Sequence, residues 1–175
     1  YRHRVIQRRV VLEPPTHCAP HDYICPFRDW FADNETEHRQ KDDIVLQTST
    51  IFAFISSKWW INNLSTLLLL KAHNENIYDI DDDILSQITI ATKRIVQAVH
   101  ETYSRYIGTL TRQHNAPDGN RNVWYLHIYV FPLYPNNRLS EHHTNKQAAF
   151  PAKRTPYAVR LREYFATKPH TNTCR

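Results

Sequence analysis

A single long helical pattern constrains the fold of this chain more than its other features do. Between Asp79 and Ile107, apolar side chains recur at intervals of three and four residues: Leu85, Ile88, Ala91, Ile95, Val99, Tyr103 and Tyr106. That spacing places them on one face of an α-helix. Asp81 to Asp83 stand before the pattern, where the partial positive charge of a helix amino end favours carboxylates. Gly108 follows it, as a residue that stops a helix would.

Short β-rich runs flank this helix on both sides. Before it stand "VLQ" and "TIFAFIS", split by Thr and Ser as in a hairpin, and then "STLLLLKAH". After it come "GTLTRQH" and "NVWYLHIYVFPLY", and near the end "TPYAVRLREYFA" has the looser spacing of a short helix. Short runs in close succession favour antiparallel pairing. We therefore predict an α+β fold with an antiparallel sheet of about five strands, one long helix and a short C-terminal helix.

Length and charge limit the domain count and the kind of ligand. The chain has 175 residues, which fits one domain; we assign residues 1–20 to a basic arm, 21–166 to the folded domain and 167–175 to a tail. The 22 basic and 17 acidic residues give a net charge of +5. This charge favours an anionic ligand without choosing between a nucleotide, a nucleic acid and a membrane surface. The arm, with Arg2, Arg4, Arg8 and Arg9, could contact nucleic-acid phosphates, although it lacks interleaved aromatic side chains.

The cysteines and the apolar runs indicate in which cellular compartment we expect the protein. Cys18, Cys25 and Cys174 are an odd number, and their spacing shows no disulfide framework. The longest apolar run, Leu67 to Leu70, is too short to cross a bilayer, and no secretory type of hydrophobic segment follows the Arg-rich start. We therefore expect a protein of the cytoplasm or of another reducing intracellular compartment, without membrane association.

The run from Asn122 to Tyr134 holds the side chains best suited to chemistry. Side chains alternate along a strand, so Tyr125, His127 and Tyr129 form one row on one face. An imidazole with an ordinary pKa near 6.5 is neutral at physiological pH and can act as a nucleophile or a base. A lone histidine in a strand is more often a hydrogen-bonded structural residue. The residues by themselves leave both roles open.

Several sequence pieces occur in an order that is shared with a known family. They are "CPF" at Cys25, "FAFISSKWWINN", "LLLLKAHNENIYDI", Asn115 with the turn "APDGNRNVW", and "YLHIYVF" from Tyr125 to Phe131. Together they resemble the histidine triad (HIT) family of nucleotide hydrolases and nucleotidyl transferases. The family motif is His-φ-His-φ-His-φ-φ, where φ is apolar, and only its middle histidine, His127, is present here. The resemblance covers most of the chain, from Cys25 to Phe165.

The resemblance implies a reaction at the α-phosphate of a nucleotide. In the family, the middle histidine attacks the α-phosphorus, and water or another acceptor then resolves the nucleotidyl-histidine. His127 would therefore be the nucleophile, and Tyr129 stands where the family has a histidine near the leaving group. A phenol with a pKa of about 10 is a poor proton source near neutrality, and loss of a matched acid typically removes roughly 10²–10⁴-fold of rate. A catalytically weak or inactive relative that binds a nucleotide or serves as a structural subunit is therefore the alternative.

The resemblance also implies where the phosphate would lie. Backbone N–H groups near Asn122 and Val123, at the turn into the strand, would hold the phosphate oxygens, and the Asn115 amide would add a donor. Arg121, where the family often carries Gln, could offer a fixed charge. Ser56 stands where many members hold the ribose with an acidic residue, so the resemblance leaves ribose recognition open.

A structural zinc site, which some family members have, is not expected here. The resemblance aligns its four ligand positions with Cys25, Arg28, His73 and Tyr125. Arginine and tyrosine coordinate zinc poorly, so we predict no metal and no other cofactor, with Cys25 and His73 as remnants of the site and Cys18 the one candidate that could restore it.

The remaining expectations concern partners. Trp59 and Trp60 could stack on a base or could pack against a neighbouring element or a second subunit, and the sequence favours neither. The resemblance implies a symmetric homodimer with sheets and long helices in the interface. A nucleoside phosphate, most simply a purine one, is the expected small-molecule partner. Nucleic acid is a further possible partner, through the basic arm.

Overall fold

Seven strands and two long helices make up most of the described part of the chain. The structure is a computed structural model that describes residues 19–27, 35, 36, 38, 40–60, 66–115, 123–136 and 146–168. In chain order the elements are a single 3-10 turn Lys41–Asp43, β1 Ile44–Gln47, β2 Ile51–Ile55, β3 Lys58–Trp60, β4 Thr66–Leu70, α1 Asp82–Thr102, β5 Gly108–Gln113, β6 His127–Leu133, β7 Lys146–Ala148 and α2 Pro151–Thr167.

The main sheet has five strands in the order β1-β2-β4-β6-β5, and each neighbouring pair is antiparallel. This confirms the predicted α+β fold and its sheet of five strands. A second, two-stranded sheet pairs β3 with β7. These two strands were not predicted, because "KWW" and "KQA" are three residues each and too short to show an alternating pattern.

Both faces of the main sheet are covered, which is why β2 and β4 are buried along their whole length. On one face the sheet packs against the helices: α1 buries Ile88, Ile95 and Val99, each fully inaccessible, against strand residues such as Leu68 and Val130. On the other face lies a separate cluster, mostly of aromatic and leucine side chains: Cys25, Phe52, Phe54, Leu67, Leu69 and Tyr125. We call this second face the aromatic face.

The long helix begins as predicted but ends earlier. Asp81 is its N-cap, and its carboxylate accepts a hydrogen bond of 2.9 Å from the backbone N–H of Asp83. The helix ends at Thr102, and the prediction that Gly108 stops it was wrong, because Gly108 is the first residue of β5. The left-handed backbone conformation after the helix falls instead on Arg105, with φ of 70°.

A buried ion pair joins the C-terminal helix to the start of the sheet. Arg154 on α2 and Asp43 just before β1 are both fully buried, and the guanidinium makes two hydrogen bonds to the carboxylate, of 2.8 and 2.7 Å. Arg154 also donates to the Ala149 carbonyl. The pair therefore ties α2 to the edge of the main sheet. Neither helix in the described part of the chain is long and apolar enough to cross a membrane.

Candidate functional site

His127 is the first residue of β6 and lies on the aromatic face. It pairs across the sheet with Leu69, a member of that cluster. Its ring lies 5.1 Å from the Tyr129 ring and 5.8 Å from the Phe27 ring, measured between centroids. The side chain is 2% exposed. The predicted strand begins later than expected, so Tyr125 lies just before β6 and only His127 and Tyr129 alternate within it. The Tyr125 side chain still belongs to the same cluster as Tyr129, and Phe27 lies against His127.

One hydrogen bond defines the tautomer of the neutral His127 ring. The Nδ1 atom lies 2.6 Å from the backbone carbonyl oxygen of Tyr125. Since a carbonyl can only accept, Nδ1 carries the proton, and in a neutral ring Nε2 then carries the lone pair. The pKa of His127 is lowered to about 4, mainly by burial; the Tyr125 hydrogen bond opposes this shift, and the electrostatic effects of His114 and Lys146 add to it. The imidazole is therefore neutral at physiological pH.

Tyr129 is half-buried beside this ring and is a weak acid. Its own ring stacks on that of Phe131 at 5.4 Å with 13° between the planes. Burial raises the pKa of Tyr129 to about 12, and the nearby Arg112 guanidinium opposes that rise. A neutral phenol with such a pKa can donate a hydrogen bond but holds its proton near neutrality.

The residues at the zinc positions do not fit a zinc ion. The Tyr125 hydroxyl is buried and donates to the carbonyl of Leu70, at the end of β4, and burial raises the pKa of this phenol above its usual value. Its oxygen is thereby engaged and protonated. The His73 ring packs on the Tyr125 ring at 4.8 Å, and Cys25 is a buried free thiol in the same cluster. Within the described residues, no three His, Cys, Asp or Glu side chains are grouped to hold a metal; Arg28 and Cys18 lie outside that part.

The predicted phosphate-binding residues are only partly described. Asn115 is half-buried, and its side-chain oxygen accepts a hydrogen bond of 2.9 Å from Gln113, so its NH₂ group is the part that can donate to an anion. Val123 is half-buried and packs against the aromatic face. Arg121 and Asn122 lie outside the described residues, and so does the arm with its arginines.

Four side chains near this row were not predicted from the sequence: Phe27, Arg112, His114 and Lys146. The His114 ring lies 6.3 Å from the Tyr129 ring, and Arg112 pairs across the sheet with Tyr129, its guanidinium 5.7 Å from the Phe131 ring centre. Alternation along β5 could have placed Arg112 and His114 on the face of Tyr129. Lys146 is on β7 of the second sheet, and no sequence pattern could have predicted that it lies near this site.

Ser56 and Trp59 serve the fold in this structure. The Ser56 hydroxyl bonds to both backbone groups of Lys58, each at 3.1 Å, and its carbonyl accepts from the Trp59 indole at 2.6 Å. Trp59 is 1% exposed, and its ring meets that of Tyr157 on α2 edge to face at 5.6 Å. Of the two alternatives for Trp59, packing against a neighbouring element is the one observed.

Similarity to known proteins is limited at the level of sequence. No family model matches the chain. A curated relative, "Protein hit" of Bacillus subtilis, is 29% identical over 69 residues. The match covers 39% of this chain and 47% of the relative, so it spans about half of the relative's length.

Solved structures match more of the chain. A Zn-bound histidine triad family protein from Mycobacterium smegmatis has a TM-score of 0.65 and 16% identity, over 82% of this chain and 94% of that one. A Hit-like protein involved in cell-cycle regulation from Bartonella henselae has a TM-score of 0.62 and 21% identity, over 69% and 85%. The diadenosine triphosphate hydrolase of Plasmodium falciparum has a TM-score of 0.55 and 13% identity, over 74% and 80%. At these identities the shared property is the fold, and the chain therefore has the fold of the histidine triad proteins, as its ordered motifs predict.

Proposed function

We propose that this protein is a nucleotide phosphohydrolase or nucleotidyl transferase that acts at an α-phosphate through His127. The observation that carries the proposal is the hydrogen bond from Nδ1 of His127 to the Tyr125 carbonyl, which leaves the lone pair on Nε2. A nucleophilic imidazole needs that lone pair and a neutral ring, and burial supplies the neutrality by lowering the pKa to about 4. The shared fold and the Plasmodium hydrolase of a dinucleotide support a nucleotide as substrate.

The proposed reaction has two steps. Nε2 of His127 forms a bond to the α-phosphorus, and the bond from that phosphorus to the oxygen of the leaving group breaks, with the electron pair departing on the leaving oxygen. Water or another acceptor hydroxyl then attacks the phosphorus and releases its proton to solvent, and the bond from phosphorus to Nε2 breaks with its electron pair returning to Nε2, which restores the neutral imidazole. Among the described residues, we assign the Asn115 side-chain amide as a donor to the phosphate oxygens. Arg121 and the backbone N–H groups near Asn122 and Val123 are the other proposed donors.

Tyr129 narrows the substrate class within this proposal. A phenol with a pKa of about 12 does not protonate a departing amine or alkoxide near neutrality. A phosphate leaving group needs no such proton, because it departs as a stable anion. We therefore propose that dinucleoside polyphosphates are better substrates than nucleoside phosphoramidates, whose amine must leave protonated.

Hydrolysis of diadenosine triphosphate tests the proposal. The full chain should release adenosine monophosphate, measured by chromatography, and a quenched reaction should contain an acid-labile adenylyl adduct. His127→Ala should lower the rate at least roughly 10³-fold and remove the adduct. His100→Ala changes an exposed histidine on α1 and is the matched control, expected to keep the wild-type rate. Equal product from the wild type and His127→Ala would disprove the catalytic role.

The second candidate is a binding or structural subunit without turnover, and the cover over His127 favours it. With the ring 2% exposed and Phe27 packed against it, an α-phosphate can reach the imidazole only if the side chains that cover it move. Calorimetry with adenosine and guanosine monophosphates separates the candidates. Micromolar binding without hydrolysis of the triphosphate identifies a nucleotide binder, and absence of binding identifies a structural subunit.

The partner and compartment predictions stay proposals. We propose a symmetric homodimer and a reducing compartment, for which the buried free thiol of Cys25 gives support. Nucleic-acid contact through the arm is a separate proposal. It predicts an affinity that falls steeply with salt and with deletion of residues 1–12.

A further inference from the structure

A cavity lies away from the aromatic face. Its volume is about 390 Å³, and it is lined by Tyr103, Ser104, Arg105, Tyr134, Tyr157 and Arg160. Tyr103 and Tyr157 belong to the core cluster on the helix side of the sheet. His127 lies on the opposite face, so this cavity is not part of the nucleotide site proposed above.

Two tyrosines that contact each other, Tyr103 and Tyr157, form the floor of the cavity. Tyr103 is 7% exposed, and its hydroxyl donates to the backbone carbonyl of Tyr157 at 3.1 Å. The two rings lie 5.6 Å apart, inclined by 51°. Burial raises the pKa of Tyr103, and Tyr134 and Tyr157 raise it further. The Tyr103 phenol is therefore neutral, and the cavity presents aromatic surface beside hydroxyl groups.

Two arginines stand at the rim of this tyrosine floor. The lining contains Arg105 and Arg160 and no acidic side chain. Neither guanidinium is ion-paired with a carboxylate of the described residues. An arginine that faces a cavity without a counter-charge is a recurrent feature of sites that bind carboxylates and phosphates.

The backbone at Arg105 gives an independent observation. Its φ of 70° is in the left-handed region, which glycine adopts without strain and arginine does not. Strained positions of this kind persist where the surrounding structure holds the backbone in place, and they cluster at ligand sites. Here a glycine would satisfy the backbone, but it would remove one of the two charges from the cavity.

We propose that this cavity binds a small organic anion that carries a planar ring, either an aryl phosphate or an aryl carboxylate. The tyrosine rings offer stacking and edge contacts to the planar group, and the two guanidinium groups bind the anion from the rim. The volume is within the range of roughly 300–1,000 Å³ that is usual for small-molecule sites. A bare anion would not use the aromatic floor, and a neutral ring would not use the arginines.

Nuclear magnetic resonance of the full chain tests this assignment with four probes: phenyl phosphate, benzoate, inorganic phosphate and phenol. Phenyl phosphate or benzoate should shift the Arg105 and Arg160 side-chain resonances in a saturable manner, and the tighter of the two identifies the anion class. Phosphate and phenol alone should bind more weakly. The proposal would be overturned if neither arginine shifts at millimolar probe concentrations. It would also be overturned if phenyl phosphate, benzoate and phenol bind with equal affinity.

Substitutions separate a ligand site from a structural role. Arg105→Gly and Arg160→Gln should each weaken binding of the tighter probe roughly tenfold, as loss of one charge-assisted hydrogen bond does. Arg105→Gly should keep or raise the melting temperature because it relieves the left-handed strain. Lys93→Gln, an equal charge change at an exposed position on α1, should bind as the wild type does. If Arg105 serves only as a cation at the carboxyl end of α1, Arg105→Gly will lower stability and leave binding unchanged, which would refute the site.

Discussion

The buried imidazole of His127 combines two properties, a fixed tautomer and a lowered pKa. Its Nδ1 proton is held by the Tyr125 carbonyl, and its pKa is lowered to about 4 because the ring is buried among aromatic side chains. The hydrogen bond at Nδ1 leaves the lone pair on Nε2, and the lowered pKa keeps Nε2 unprotonated down to about pH 4. The same burial hinders access of a substrate to the ring. His127 therefore has both the neutral ring that a nucleophile needs and the close packing of a structural residue.

Acid should destabilise the fold through His127. The unfolded chain takes up the proton as the pH falls through about 6.5, but the folded chain takes it up only near pH 4. Between these values the unfolded state binds more protons, so the free energy of unfolding falls as the pH falls. The loss through this residue should reach roughly 3 kcal/mol by the folded pKa. Urea unfolding of the wild type and of His127→Gln, each at about pH 7 and pH 4, measures this loss. The other titrating groups are the same in the two proteins, so the difference between their losses is the contribution of His127. An equal loss in the two proteins would show that the ring is not shielded.

Tyr129→His should change the leaving groups that the site accepts. Burial keeps the phenol protonated with a pKa of about 12, whereas an imidazole has an ordinary pKa near 6.5 that burial lowers, so its protonated form is a much stronger acid than the phenol. The variant should therefore hydrolyse adenosine phosphoramidate faster than the wild type, by at least roughly tenfold, and change the rate with diadenosine triphosphate much less. The rates are compared by product chromatography at one pH. A parallel change with both substrates would contradict a role for position 129 at the leaving group.

At the scale of elements, the buried pair of Asp43 and Arg154 fixes how α2 sits on the sheet. Both side chains are fully buried, so Arg154→Met leaves a carboxylate without its partner and should lower the free energy of unfolding by roughly 3–5 kcal/mol. The double variant Asp43→Leu with Arg154→Met should recover much of that loss, because no buried charge is then left alone. Urea unfolding gives the values.

An exposed ion pair supplies the control for this prediction. Lys168, just after α2, pairs with Glu101 on α1, but their side chains are 55% and 42% exposed. Water and salt screen such a pair, so Lys168→Met should change unfolding little. If Arg154→Met is as mild as Lys168→Met, the buried pair does not hold α2 in place.

The elements also show what the sequence could predict. The spacing of Ile88, Ile95 and Val99 was enough for α1, because apolar residues at this period share one face of a helix but fall on both faces of a strand. Alternation predicted the row of side chains around His127 in the same way. By contrast, the contact of Phe27 with His127, the strand pair β3 and β7, and the pairing of Asp43 with Arg154 join residues far apart in the chain. Local periodicity carries no information on such contacts, so they appear only in the structure.

At the scale of the whole molecule, the two edges of the main sheet differ. The β1 edge is packed by α2 and the buried ion pair, whereas no described strand pairs with the outer edge of β5. An open edge offers unpaired backbone groups to another chain. Ile107, just before β5, is 64% exposed although it is apolar, and Ile90 on α1 is 49% exposed. An edge that no described strand covers, with the exposed Ile107 just before it, is what a symmetric pairing of two copies would cover.

The homodimer can therefore be tested by a charge beside this edge. The wild type should have about twice the chain mass of 20.8 kDa in light scattering after gel filtration. Ile107→Glu should shift it to the monomer, because a carboxylate in an apolar contact is costly without a partner. The fold should survive, since the bond from the Ile107 backbone N–H to Leu133 does not depend on the side chain. Val159→Glu places the same charge at an exposed apolar position on α2 and should leave the dimer intact. A wild type that is already monomeric would refute the dimer, and a dimer that Val159→Glu breaks and Ile107→Glu does not would place the contact on α2 instead of at β5.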